Sequence, residues 1–284
     1  MSKVWLVTGC SSGIGEELVL EALKRGEKVA ATSKSLEKLE KTFSQHKSEN
    51  LLLKKIDVTD DLEIIKQSIE EIVKVFGRID VLVNNAGYFE PNLVEFFTWK
   101  ETFDLFNTNV FGFLNVTRAT LPYRREQRSD IIFNISSVAG WDGNPITGLY
   151  VSSKFAVEGI TSALQKEVIH LGIKVLAVQP GFTRTGFFSD NLVVNLVKHN
   201  DYEDLLDAYT SNHLLAYGVQ PGDPGKIAKA IVDVARHENF ASDHEIPDII
   251  PFSNDTYNII KDKCTKTLKL LEEWKDVIVD VDFE

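Results

Sequence analysis

Long apolar runs are missing from this 284-residue chain, and none approaches the roughly 20 residues that span a bilayer. That excludes a membrane protein built on spanning helices. Cysteine is scarce: Cys10 and Cys264 are the only two. They are too few for a disulfide framework or a four-thiolate zinc site, and both read as small buried apolar residues. The six histidines show no ligand spacing such as His-x-x-x-His, so no metal is expected. No long basic block offsets a net charge of −11, which disfavours nucleic acid and anionic membrane as partners. The N-terminus has no charged region followed by an apolar stretch and a small-residue cleavage site. The final Asp-Phe-Glu is neither a peroxisomal tripeptide nor a lipidation box. A cytoplasmic protein is therefore expected.

With 43 % hydrophobic residues, the chain can build one extended core. Short β-branched apolar runs alternate with longer amphipathic stretches, the pattern of a parallel sheet covered by helices on both faces. Strands are expected at 4–8, 28–32, 51–56, 79–83, 130–135 and 173–179, each near-continuously apolar because both faces of such a sheet are buried. Between the third and fourth strands, Leu62, Ile65, Ile69, Ile72 and Phe76 recur at helical spacing. Asp60 stands at the cap position, Glu63 at the box position, and Gly77 closes the helix. Residues 182–217 break the rhythm with a helical excursion. Tyr257, Ile260, Cys264, Leu268, Leu271 and Trp274 mark a last helix over 253–276. A single domain over 1–284 is expected.

After the first strand comes Thr8-Gly9-Cys10-Ser11-Ser12-Gly13-Ile14-Gly15, followed by a helix over Glu16 to Arg25. Glycines let the backbone turn sharply and approach a pyrophosphate, whose charge the helix N-terminus then meets. A glycine-rich turn can also be no more than a tight strand-to-helix connection. Here the strand precedes and the helix follows, as the binding mechanism requires. The motif resembles the cofactor signature of the short-chain dehydrogenases/reductases, and later segments extend the likeness from about Lys3 to about Arg236. Asp57-Val58 looks like the family's adenine contact, and Asn84-Asn85-Ala86-Gly87 like its motif after the fourth strand. Pro180-Gly181, with Thr183 and Thr185 beyond it, is similar to the segment that holds the nicotinamide carboxamide. The resemblance implies a Rossmann-type, doubly wound parallel sheet and a nicotinamide dinucleotide. The second strand ends Thr32-Ser33-Lys34-Ser35, with no carboxylate before Glu37. A carboxylate there would bind a ribose 2′-hydroxyl and repel a 2′-phosphate, whereas Ser33 and Lys34 suit the phosphate. NADP(H) is expected, with a solvated loop lysine as the alternative reading of Lys34.

Tyr150 and Lys154 are four apart, hence on one helix face. Taken alone that pair is common. Ser137 lies 13 residues before Tyr150, and Asn109 lies 28 before Ser137, in a helix that begins near Trp99. Those spacings are similar to the family's Asn-Ser-Tyr-Lys tetrad. Carbonyl reduction needs a hydride at carbon and a proton at oxygen. A nearby ammonium favours a phenolate and can lower a tyrosine pKa by roughly 1–3 units, which would make Tyr150 a general acid or base near neutral pH. Ser137 would hydrogen-bond the substrate oxygen. The resemblance further implies that Lys154 holds the nicotinamide ribose and that Asn109 holds a water in a proton relay.

The substrate end is less legible. Phe187, Phe188 and Leu192 begin the segment that covers substrate in the family, and Trp141, Tyr88 and Phe89 are the other expected walls. Each could instead be core, but together they imply an apolar, aromatic-lined pocket for a bulky carbonyl compound or its alcohol. Arg184 keeps an anion clamp open. The chain looks like the branch with 17β-hydroxysteroid and retinol dehydrogenases and microbial carbonyl reductases. A stereoselective NADPH-dependent carbonyl reductase is the first expectation, and a dedicated steroid or retinoid dehydrogenase the second. A dinucleotide-sensing regulator is the alternative outside enzymes, disfavoured by the full tetrad. The family's usual assembly implies a homodimer or homotetramer through the helices near Trp99 and Leu149, whose surplus apolar residues include Phe103, Phe106, Phe111 and Phe113.

Overall fold

Seven short runs rich in Val, Ile and Leu become strands of one parallel sheet: β1 (Val4–Val7), β2 (Lys28–Ser33), β3 (Leu51–Lys55), β4 (Val81–Asn84), β5 (Ile131–Ile135), β6 (Lys174–Pro180) and β7 (Ile249–Phe252). The computed structural model describes residues 2–128, 131–188 and 196–283. The strand order is β3-β2-β1-β4-β5-β6-β7, every neighbouring pair parallel. All residues of β1 and β4 are buried, as continuous apolar runs between two helical layers require.

Helices pack on both faces. On one, α1 (Gly13–Lys24) and α8 (Pro224–Arg236) cover Trp5, Val7, Val83 and Phe133 with Leu18, Val19, Ile227 and Ile231. On the other, α3 (Leu62–Phe76), α5 (Phe113–Gln127) and α6 (Gly148–Val168) bring Ile65, Ile69, Val116 and Leu164 against Leu6, Leu82 and Ile132. The remaining helices are α2 (Leu36–Thr42), α4 (Trp99–Phe106), α7 (Glu203–Ala216), α9 (Asn254–Glu273) and α10 (Lys275–Val279). The order reverses between β1 and β4, so the helices that follow those strands lie on opposite faces of the sheet and leave a crevice at the strands' C-terminal ends. Parallel sheets of this kind bind ligands there.

Several local expectations are corrected. The cap of α3 is Asp61, not Asp60, and its side chain makes no capping bond; Gly77 closes the helix at φ 83° as expected. The first helix starts at Gly13, a turn earlier than Glu16. β7 gives no strand signal in the sequence because it is four residues long and contains Pro251, which suits an edge position. The stretch from Trp99 is not one helix: a π-helical segment, Asn107–Gly112, separates α4 from α5. Phe113 is buried in the core and adds no surplus surface, and Cys264 is exposed while Cys10 is buried. Among the described residues, no helix is long and apolar enough to cross a membrane.

Candidate active site

The crevice is a cavity of about 870 Å³ running from the end of β2 to the start of α9. Its floor is built by the loops after β1 and β4. Thr8 Oγ1 accepts from the backbone N–H groups of Asn85 and Ala86, both at 3.0 Å. Asn85 Nδ2 returns bonds to the carbonyls of Thr8 (2.9 Å) and Gly9 (3.0 Å). Gly9 sits at φ 69°, and a Cβ there would lie 2.8 Å from Ala86 Cα. A Cβ at Gly15 would come within 2.4 Å of the Gly9 carbonyl oxygen. Only glycine lets these two loops meet. Ser12, the N-cap of α1, is extended and makes no side-chain capping bond, and Gly13 and Ile14 line the cavity. An uncapped helix N-terminus in a glycine cradle fits a pyrophosphate.

Gly9, Ser11, Ser12, Gly13, Ile14, Ser33, Lys34, Asp57, Val58, Asn85, Ala86 and Gly87 all line this end, as do Pro180, Gly181, Thr183 and Thr185 further along. Gly15 lies behind them as packing. Ser33 is buried and Lys34 exposed at the end of β2. The Thr185 methyl carbon would meet a Cβ on Gly13 at 3.3 Å, so the segment after β6 closes directly onto the glycine loop.

At the other end, β5 runs into Ser136 and Ser137. Ser137 caps the turn Val138–Gly140, its Oγ accepting from Ala139 N at 3.2 Å. Tyr150 and Lys154 project from one face of α6, both buried. The Tyr150 hydroxyl lies beside Ser137, which favours its ionised form. Lys154 Nζ donates to the Ile135 carbonyl at 2.9 Å and lies 5.5 Å from the Tyr150 ring centroid. Phe89 meets the Tyr150 ring edge-on at 5.2 Å, and Phe187 lies 5.8 Å from it. Asn109 stands in the π-helical segment, where the wider turn carries it inward. Its Oδ1 accepts from Tyr88 N, and its Nδ2 donates to Tyr88 O and Ser153 Oγ. Both amide hydrogens are thus spent on the protein.

The electrostatics depart from the expected lowering of the tyrosine pKa. Burial pushes the Tyr150 phenol up to about 12, and Ser137 opposes this only in part. Burial also brings Lys154 down to about 8, while the Glu158 carboxylate pulls it upward. Desolvation outweighs the ammonium's attraction because both groups are enclosed and the ammonium faces the ring and a carbonyl. Glu158, one turn beyond Lys154, was not foreseen. Its Oε1 is sealed from solvent in the space above Gly140, beside the Ser136 hydroxyl. Burial raises its own pKa, with Ser136, Gln179 and Lys154 opposing. The only local hint is its i,i+4 spacing from Lys154, and that does not reveal the burial.

The expected walls are partly present. Tyr88, Phe89 and Phe187 line the cavity. Trp141 does not: its indole N–H donates to Gln179 Oε1 at 2.9 Å. The Phe188 side chain and Leu192 lie outside the described residues. Arg184 donates through Nε and Nη2 to the Gln220 carbonyl at 3.2 and 3.0 Å and is absent from the lining, which removes the anion clamp. Residues not foreseen are Asp104, Asn107 and Thr108 around the π-helical segment, Asp142 after β5, and Ile259 of α9. Chemically, the arrangement can present a protonated phenol and a serine hydroxyl to one oxygen atom, beside a long cradle for an anionic cofactor.

A family model described as short chain dehydrogenase matches residues 3–192. A 3-ketodihydrosphingosine reductase from Bacteroides thetaiotaomicron is 36 % identical over 242 residues, covering 84 % of this chain and 85 % of that protein. The crystal structure of a short-chain dehydrogenase from Streptomyces avermitilis superposes with a TM-score of 0.85 at 33 % identity, each chain covered in full (100 %). ElxO, solved with NADP bound, gives a TM-score of 0.73 at 31 % identity, covering 91 % of this chain and 100 % of that one.

Proposed function

This chain belongs to the short-chain dehydrogenase/reductase family of oxidoreductases, and from that premise we propose that it is an NADPH-dependent carbonyl reductase acting on a bulky or aromatic ketone or aldehyde. The observation that carries this reading is the Tyr150 hydroxyl, set beside Ser137 and ringed by Phe89 and Phe187 above a buried Lys154.

NADP(H), when bound, supplies the hydride. The glycine loop and the uncapped start of α1 would hold its pyrophosphate, Ser33 and Lys34 its 2′-phosphate, and Asp57 and Val58 its adenine. Asn85 to Gly87, Lys154 and the stretch Pro180 to Thr185 would hold the nicotinamide end. The 2′-phosphate is favoured because no carboxylate from the end of β2 enters the cavity lining, and a relative of 31 % identity was solved with NADP bound.

Ser137 and Tyr150 both hydrogen-bond the substrate oxygen and orient the carbonyl. Tyr150, with its pKa pushed up, keeps its proton until negative charge develops on that oxygen, then transfers it. Lys154 stabilises the phenolate left behind. Asn109 locks the backbone at Tyr88, next to Gly87, and keeps that edge of the cavity in place. Water is kept from the reacting atoms by the rings of Phe89 and Phe187.

A long-chain keto lipid is a second reading, supported by the relative named 3-ketodihydrosphingosine reductase. The test is NADPH oxidation screened over aryl ketones, ketoesters, steroids, retinal and a long-chain 3-keto lipid. We expect turnover with at least one, and a loss of roughly 100- to 10,000-fold in kcat for Tyr150→Phe. NADPH binding without turnover of any carbonyl would favour a dinucleotide-sensing regulator.

A further inference from the structure

The C-terminal helix carries apolar surface that the fold leaves uncovered. Tyr257, Ile260, Cys264, Leu268, Leu271 and Trp274 follow one another at steps of three and four and so share a face. Yet every described residue from Lys261 to Phe283 is exposed. Leu268 is 64 %, Leu271 45 % and Trp274 57 % exposed. The helix is tied to the body near its start, where Thr256 is buried, Ile259 lines the cavity and Lys263 pairs with Asp142 at 2.9 Å. Beyond that, leucines and a tryptophan meet water in a row, which monomers avoid.

The charge along the segment says what covers it. From Lys261 to Leu270, four lysines (Lys261, Lys263, Lys266, Lys269) face one acid, Asp262. From Leu271 to Phe283, five carboxylates (Glu272, Glu273, Asp276, Asp280, Asp282) face one base, Lys275. The stripe therefore changes sign about its midpoint. Laid antiparallel on a second copy of itself, the basic half of each helix meets the acidic half of the other. Laid parallel, like charge meets like. An anionic lipid surface would attract the first half and repel the second. Of these arrangements only the two-fold antiparallel one sets opposite charge against both halves at once.

We propose that two copies of this chain pair through antiparallel α9 helices, with Leu271 and Trp274 of each packed about the two-fold axis. This face lies on a different element from the apolar side chains of α4 and α6, so a chain using both faces can close a tetramer.

Light scattering and oxidative cross-linking test the pairing. Leu271→Asp combined with Trp274→Asp should halve the wild-type mass and leave the chain folded with NADPH binding unchanged, since neither side chain is buried within one chain. In a Cys264→Ser background, Leu271→Cys should oxidise to a covalent dimer. Lys266→Glu with Lys269→Glu should weaken association about tenfold or more, and adding Glu272→Lys with Glu273→Lys should restore it. An unchanged mass in the Leu271/Trp274 variant overturns the proposal. So does a monomeric wild type, or loss of binding to phosphatidylcholine–phosphatidylglycerol vesicles with no change in mass. None of these readouts depends on carbonyl turnover, so failure here is separable from failure of the catalytic reading.

Discussion

Lys154 is where burial and charge compete most directly. Enclosure brings its pKa down to about 8, and Glu158 acts against that fall. Tyr150, pushed up to about 12, keeps its proton throughout the neutral range. The rate of reduction should therefore decline above about pH 8 as the ammonium is lost, not as the phenol ionises. Glu158→Gln keeps the shape above Gly140 but removes the negative charge that raises the lysine. Its alkaline limb should consequently move to lower pH. Profiles of kcat/KM against pH for the two proteins decide this, and coincident limbs would leave Glu158 a packing role only. At the far end, Lys34→Glu replaces attraction for a 2′-phosphate by repulsion. Charge-assisted bonds of roughly 1.5–3 kcal/mol, or about 1 for an exposed pair, translate into a shift of the NADPH/NADH preference by about tenfold to a few hundredfold. The shift should shrink with added salt, because Lys34 is exposed. Ser33→Ala acts through neutral bonds and should cost less. An unchanged kcat/KM ratio for the two cofactors in Lys34→Glu would make Lys34 a solvated loop residue.

The elements divide into those that hold the sheet and those that shape the site. α3 belongs to the first kind: Ile65, Ile69 and Ile72 are buried under the sheet, and none lines the cavity. Ile69→Ala should cost about 2–5 kcal/mol in urea unfolding and leave kcat/KM untouched in the folded protein. A matching loss of kcat/KM would mean that α3 reaches the site through its neighbours. The π-helical segment is of the second kind. Its wider turn departs from the favoured helix, a geometry frequent at functional sites, and it sets Asn109 against Tyr88 and Ser153. No periodicity in the sequence marks that insertion, because it inserts between two helices that each read normally.

At the scale of the whole molecule, large apolar side chains of α4, the π-helical segment and α6 stand exposed, and we propose that a second copy of the chain covers them. Trp99 is 80 % exposed, and Phe103, Phe111 and Phe155 are each between 43 % and 48 %. Single exposed apolar side chains need no partner, but large ones grouped on neighbouring helices mark an interaction surface. Phe103→Lys with Phe155→Lys should reduce the solution mass by a factor of two, measured by light scattering at micromolar concentration. A wild-type mass equal to one 31.9 kDa chain would end the homodimer and homotetramer readings together.

Backbone rules made much of the protein legible in one dimension. Gly9, Gly13 and Gly15 after an apolar run can form only a few turns, and a four-residue step puts Tyr150 and Lys154 on one helix face in any context that is helical. The parallel sheet followed from runs too apolar to show a wet face. What the tertiary structure alone decided is solvation, and with it the direction of every pKa shift in the site. Lys154 and Glu158 are enclosed by Ile135, Ser136, Gly140 and Gln179, from β5, the turn after it and β6, and Tyr150 by Phe89 and Phe187, from the loops after β4 and β6. The same long-range packing turned Trp141 toward Gln179 and tied Arg184 to Gln220. Spacing along a chain fixes which side chains can share a face, whereas burial depends on neighbours that only the folded sheet brings together.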